Sequence, residues 1–290
     1  MRGLHEIIFR QNDEALIDLI ALQRVIYSRA KSFYGLQHFL LSVFIIAVLV
    51  LKKFNFIILS FCIAKPIFAI ALVLIFTDVL IAKEISKLKT YAASVQNVFD
   101  SSLYGIRNNG FAKYVFLRIN KDNFSIDNID REKLKNWYTV PNKSIPYPKS
   151  ALICQRSNYE YDSNLNRNFL LFSLALIIAC ISITYVFVYY LWGTNEQFYI
   201  NSISLLSIMK ISVSHIYGMH AYAKATKAIA NDIDALVTSD NITNEDIISI
   251  QDRIFEARRI SQFIPDWFYN VLMRYDNMRS YDSTAKKYAP

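Results

Sequence analysis

The chain has 290 residues, 53% of them hydrophobic, with 32 Lys and Arg against 24 Asp and Glu and a formal net charge of +8. Apolar residues at that density beside so many charges are concentrated in runs rather than spread, the pattern of a chain that is part membrane span and part water-facing domain. Six Gly and six Pro leave little scope for a turn-rich β fold, and three Cys with neither a CxxC pair nor a disulfide framework exclude a Cys-based scaffold. The basic balance suits anionic lipid, nucleic acid or an anionic small ligand, with lipid the default beside apolar spans.

Residues 1–30 lack a continuous apolar run, so no cleavable signal peptide is expected. Ile8, Leu16, Leu19, Ile20, Val25 and Ile26 recur at helical spacing instead, predicting an amphipathic helix over 1–32. That helix either packs on a soluble domain or lies at a lipid surface. The apolar runs Phe33–Leu51 and Leu59–Ala82 predict a first membrane hairpin over 33–82, and Phe169–Trp192 with Phe198–Tyr217 a second over 168–218. Lys65 and Asp78 fall inside the first hairpin, where an ionisable group either reaches the interface or serves a pathway. Basic residues collect on one side, which places both termini and the insert 83–167 in the cytoplasm. The expected fold class is thus a mainly α membrane protein, two transmembrane helical hairpins with a cytosolic insert and helical N- and C-terminal segments.

Ile85, Leu88, Tyr91, Ala92, Val95, Phe99 and Leu103 continue a helical stripe out of the second run, as a stalk. Asn108-Asn109-Gly110 breaks it, and the Pro-punctuated stretch 121–148 reads as loop. In the next stretch Arg156 and Arg167 offer planar forks for phosphate, Gln155 and Asn158 can read base edges or ribose hydroxyls, and Tyr159 and Tyr161 offer stacking faces. An Arg156–Asp162 ion pair, with Arg167 merely flanking a span, explains the same residues structurally.

On a helical wheel Ser204, Ser207, Lys210 and Ser214 share one side of the last apolar run, and Ser173, Cys180 and Thr184 form a weaker stripe on the third. These are candidate pore-lining residues, although small polar residues also join helices without a pore. In the tail 219–290, Thr243 and Asp246 have capping-box spacing ahead of Ile247, Ile250, Ile254 and Phe255. A final helix is expected from about Pro265. Arg258 and Arg259 suit either phosphate or the dipole at a helix C-terminus. His215 and His220 point to different helix faces, and no His-based metal site is expected.

The blocks VQNVFD at 95–100, LKNWY at 134–138, ICQRSN at 153–158 with Tyr161-Asp162 and Arg167, IQDRIFEARR at 250–259 and IPDWFY at 264–269 occur in this order. Together they resemble the SMODS-associated four-transmembrane effectors of CBASS-type bacterial antiphage defence, over nearly the whole chain. The resemblance implies a pore-forming effector activated by a cyclic oligonucleotide from a cognate nucleotidyltransferase, acting as a homo-oligomer in the lipid bilayer. Gln155, Arg156, Asn158, Tyr161, Arg167, Arg258 and Arg259 are then the candidate ligand contacts. No DNA or RNA polymer, cofactor or metal is expected. A non-conducting membrane adaptor is the alternative. A lipid- or peptide-acting enzyme is a weaker one, since no GxSxG, HExxH or CxxC motif occurs.

Overall fold

The structure is a computed structural model that describes residues 4–53, 60–138, 145–191, 195–239, 241–265 and 268. Among them are seven α-helices and no strand: α1 (Leu4–Arg10), α2 (Glu14–Lys53), α3 (Ser60–Tyr104), α4 (Gly110–Leu117), α5 (Lys149–Leu191), α6 (Asn195–Val237) and α7 (Asn244–Ile260). Two short 3-10 turns, Lys121–Asn123 and Arg131–Leu134, interrupt the loop between α4 and α5. The chain divides into two compact units, one of residues 1–28, 88–171 and 218–290, the other of 29–87 and 172–217.

The first unit holds the main core. Ile7 of α1, Ile17 and Ile20 of α2, Phe99 and Leu103 of α3, Ile153 of α5, Ile233 of α6 and Ile254 of α7 belong to one buried cluster. The amphipathic N-terminal stretch is therefore two helices broken at Gln11–Asp13, and its apolar face is spent in this core. The stripe read as a stalk is likewise interior, with Leu88, Ala92, Val95, Phe99 and Leu103 all buried. Helix α3 stops where Gly105 turns to φ 69°, a left-handed conformation that glycine adopts without a Cβ clash, and the Ile106 amide returns to the Ser101 carbonyl at 3.0 Å. Asn109 caps α4 by accepting from the Ala112 amide at 3.0 Å. The capping box of α7 forms: the Asp246 amide donates to Thr243 Oγ1, and the Thr243 amide donates to the Asp246 carboxylate at 2.8 Å. A smaller cluster joins Leu165 and Phe169 of α5 to Met219, Ile264 and Phe268.

The second unit corrects the expected fold class. The described residues of all four apolar runs fall on helices, yet among the described residues no helix is long and apolar enough to cross a membrane. The physical reason is visible where the runs begin and end. Gln37 donates to Asp78 at 2.7 Å, and the Tyr34 hydroxyl lies 2.8 Å from His215 Nδ1, so paired polar groups occupy helix turns that hydropathy had assigned to lipid. The side chains of Lys65, Cys180, Thr184, Ser204, Ser207, Lys210 and Ser214 lie outside the described residues, as does the helix expected from Pro265 apart from Phe268. Ser173 is described and buried.

Candidate functional site: a buried polar network in the first unit

The polar residues of the ordered sequence blocks meet inside the first unit. Asp100, on the buried face of α3, accepts from Arg258 Nη1 at 2.6 Å and from Gln251 Nε2 at 3.1 Å through Oδ2, and from the Tyr138 hydroxyl at 3.0 Å through Oδ1. Tyr138 in turn accepts from the Tyr104 hydroxyl at 2.7 Å. Gln251 accepts from Gln155 Nε2 at 2.8 Å, which brings α5 into the network. Four blocks that lie far apart in the chain thus join in one network around the Asp100 carboxylate.

Local folding explains how each group arrives. Arg258 and Gln251 are seven residues apart, two turns of α7, and so face the same way. Ile247, Ile250, Ile254 and Phe255 bury that side of the helix and carry both polar groups inward. Tyr138 is held by a reciprocal pair: its amide donates to Gln11 Oε1 at 2.7 Å, and Gln11 Nε2 donates to its carbonyl at 3.1 Å. A 17-residue helix and a loop are therefore locked to the break between α1 and α2.

Burial sets the electrostatics. Arg258 is 6% exposed and Asp100 1%. Burial alone pulls the Arg258 pKa down, but the Asp100 carboxylate together with Tyr159 and Tyr138 more than offsets it, and the guanidinium is held above its ordinary range. The hydroxyls of Tyr104 and Tyr138 are pushed well above the usual tyrosine range, first by burial and then by neighbouring groups that include Asp100. Burial also raises the Cys154 thiol, with Asp100 adding to it, so this free cysteine stays a neutral packing group. Asp162 is raised by burial, opposed by the Arg258 charge and by the Tyr222 hydroxyl that donates to it at 3.2 Å.

The candidate ligand contacts separate by position. Gln155 and Arg258 are buried in the network. Arg156 is engaged by Asp234 of α6, Nε to Oδ1 at 3.0 Å, rather than by Asp162. Arg259 is half-buried, bonded to Glu256 at 2.8 Å and lying 5.0 Å over the Phe111 ring. Arg167 is exposed, and the side chains of Asn158 and Tyr161 lie outside the described residues. Sequence reasoning missed Asp100, Tyr104, Tyr138 and Gln251 as members. Their only signal was position inside the ordered blocks, because a carboxylate 158 residues from its arginine has no local spacing rule. Among the described residues no group of His, Cys, Asp and Glu is placed to hold a metal ion.

The ordered blocks of this helical chain thus meet in one buried network around the Asp100 carboxylate. The chain belongs to the SMODS-associating 4TM effector domain family, whose model matches residues 5–287. That description counts four membrane segments, whereas the described helices supply no apolar run of the length needed. A Bacillus cereus (strain VD146) protein named "Probable CBASS effector molecule" is 26% identical over 306 aligned positions, covering 92% of this chain and 93% of its own. No solved structure matches the chain.

Proposed function

We propose that this family member is an effector of CBASS antiphage defence that binds a cyclic oligonucleotide through its first unit, assembles with further copies, and permeabilises the bacterial inner membrane to arrest growth. The observation that carries the reading is the family match over residues 5–287, together with the relative's name. Physical features of the chain support its parts. The net charge of +8 and the arginines at 156, 167 and 259 suit a ligand made of phosphates. In the second unit Phe39, Val43, Val73, Phe76, Ile178 and Tyr217 are exposed, and large exposed apolar surfaces mark contacts with lipid or protein.

The Arg156–Asp234 ion pair between α5 and α6 supports a route to switching. Moving a resting-to-active ratio from 1:99 to 99:1 needs about 5.5 kcal/mol of differential ligand binding. A ligand phosphate that competes with Asp234 for Arg156 would loosen α5 from α6, and several sites in an oligomer would share the energy requirement. The test is leakage of ions and of a small dye from liposomes carrying the full chain, titrated with cyclic di- and trinucleotides. Leakage triggered by one nucleotide and lost in Arg156→Ala and Arg167→Ala is the expected result. A nucleotide that binds without causing leakage would favour the adaptor reading, and binding of none would remove the signalling role.

A further inference from the structure

The inward side of helix α4 is apolar, formed by Ala112 and Val115, and Ala112 packs in one buried cluster with Ala93 of α3 and Phe255 of α7. From Ala93 the same side of α3 continues at four-residue spacing through Asn97 to Ser101. Both are 0% exposed, yet neither atom of the Asn97 carboxamide, nor the Ser101 hydroxyl, has a hydrogen-bond partner among the described residues. The neighbouring Asp100 receives three donors, so α3 is not generally short of them. Cores pair almost every polar group they bury, and an orphaned carboxamide facing an apolar helix marks a strip whose true complement is something else.

The seat of α4 is slight. The helix has eight residues, Asn109 at its N-cap donates to Asp252 of α7 at 2.9 Å, and the Phe111 and Phe255 ring centroids lie 6.2 Å apart. Residues 105–109 join it to α3 and begin with Gly105 at φ 69°, a glycine that can absorb a change of chain direction. Arg259 lies over both rings, 5.0 Å from Phe111 and 5.7 Å from Phe255. Its Nη1 is bonded to the exposed Glu256, while its buried Nε has no partner among the described residues.

We propose that α4 is a lid, and that its opening bares a nucleotide-binding groove between α3 and α7. The Asn97 carboxamide supplies a donor and an acceptor side by side, the pattern that the edge of a nucleobase requires, with the Ser101 hydroxyl one turn away. Phe255 supplies a stacking face, and Arg259 a guanidinium for the adjoining phosphate. Asp252, released when Asn109 leaves, accepts from a base amine. A ligand in the groove pairs atoms that the closed form leaves unpaired, which gives it the preference for one state that switching needs. This inference deepens the proposed function: it rests on the nucleotide reading and names where the base is read.

The test uses the full chain with Cys62 and Cys180 replaced by Ala, which leaves the buried Cys154 as an internal standard for opening of the whole core. Ser101→Cys is added, and maleimide labelling is followed peptide by peptide. The introduced thiol should react at least about tenfold faster than Cys154, because a lid opens more often than a core. Labelling no faster than that of Cys154, or hydrogen exchange at the α4 amides of the unmodified chain no faster than in the core, would overturn the lid. Titration calorimetry with cyclic di-AMP, cyclic GMP-AMP and cyclic tri-AMP then tests the groove. Asn97→Leu should melt higher than the parent, since it removes an unpaired buried amide, and should bind nucleotide about tenfold more weakly. A lower melt would show the amide already satisfied, and unchanged affinity would show the base read elsewhere; either result overturns the site. If none of the three binds the parent chain, the proposed function falls and the ligand named here falls with it, while labelling still decides the lid. Binding by the parent that Asn97→Leu retains in full removes this site alone.

Discussion

Arg258 and Asp100, 158 residues apart, meet at 2.6 Å in the core of the first unit, where each is almost wholly excluded from solvent. Removing one partner strands a buried charge, which costs about 3–5 kcal/mol, whereas removing both in favour of apolar groups costs far less. Arg258→Ala should therefore lose about 3–5 kcal/mol in urea unfolding, and the double variant Arg258→Met with Asp100→Leu should recover much of it. Equal loss in the single and double variants would mean that the network around the pair, not the pair itself, carries the stability.

The hydroxyl chain predicts an asymmetry. Tyr138 donates to Asp100 and accepts from Tyr104, while the Tyr104 hydroxyl donates to Tyr138. Tyr138→Phe removes a bond to a charged group and leaves the buried Tyr104 hydroxyl without its acceptor, a loss of about 2–3 kcal/mol. Tyr104→Phe keeps the Asp100 bond and should lose about 1 kcal/mol. Thermal or urea melts of the two variants measure the difference, and a larger effect at Tyr104 would contradict this bonding order.

Lys89 makes stability depend on alkaline pH. It is 9% exposed, lies 5.5 Å over the Phe263 ring, and burial lowers its pKa from 10.5 to about 8. Below pH 8 the lysine is charged in both folded and unfolded states and carries its full desolvation cost. Between about pH 8 and 10.5 the unfolded chain holds the proton more tightly, so this group makes stability rise with pH and then level off. The contribution is on the order of 3 kcal/mol. Lys89→Met should be more stable at pH 7, and the difference from the parent should shrink across that window. A difference that is flat with pH would show that Lys89 is not charged and desolvated in the fold.

The α7 cap gives the smallest effect. Thr243→Ala removes the hydroxyl that accepts from the Asp246 amide and should lose about 1 kcal/mol, with Thr243→Ser near the parent. Circular dichroism melts of the full chain check it, and an unchanged melt in Thr243→Ala would mean that the box adds nothing beyond packing of Ile247 and Ile250.

Much of the local structure was legible because its causes are local. The Thr243–Asp246 spacing, the apolar positions of α7 and the break at Asn108-Asn109-Gly110 follow from rules that reach three or four residues, and all three stand in the fold. The apolar runs were legible as helices and misleading as membrane spans. Hydropathy averages a run without knowing that Gln37 bonds Asp78, and the stripe beyond it, read as a stalk, closes a core from Leu88 to Leu103. Arg156 shows the same limit: the sequence offered Asp162 of the same helix as its ion-pair partner, and the structure gives it Asp234 of another helix.

By itself the sequence determined a helical chain, its caps and breaks, and its family, because propensity, periodicity and ordered motif blocks are written in neighbouring residues. Only the tertiary structure decided that Asp100, Tyr138, Gln155, Gln251 and Arg258 form one network, and that Gln155 and Arg258 lie inside it rather than on a surface. The reason is physical: a buried charge needs a partner in space, and burial is settled by how helices pack, which no spacing along a single chain encodes.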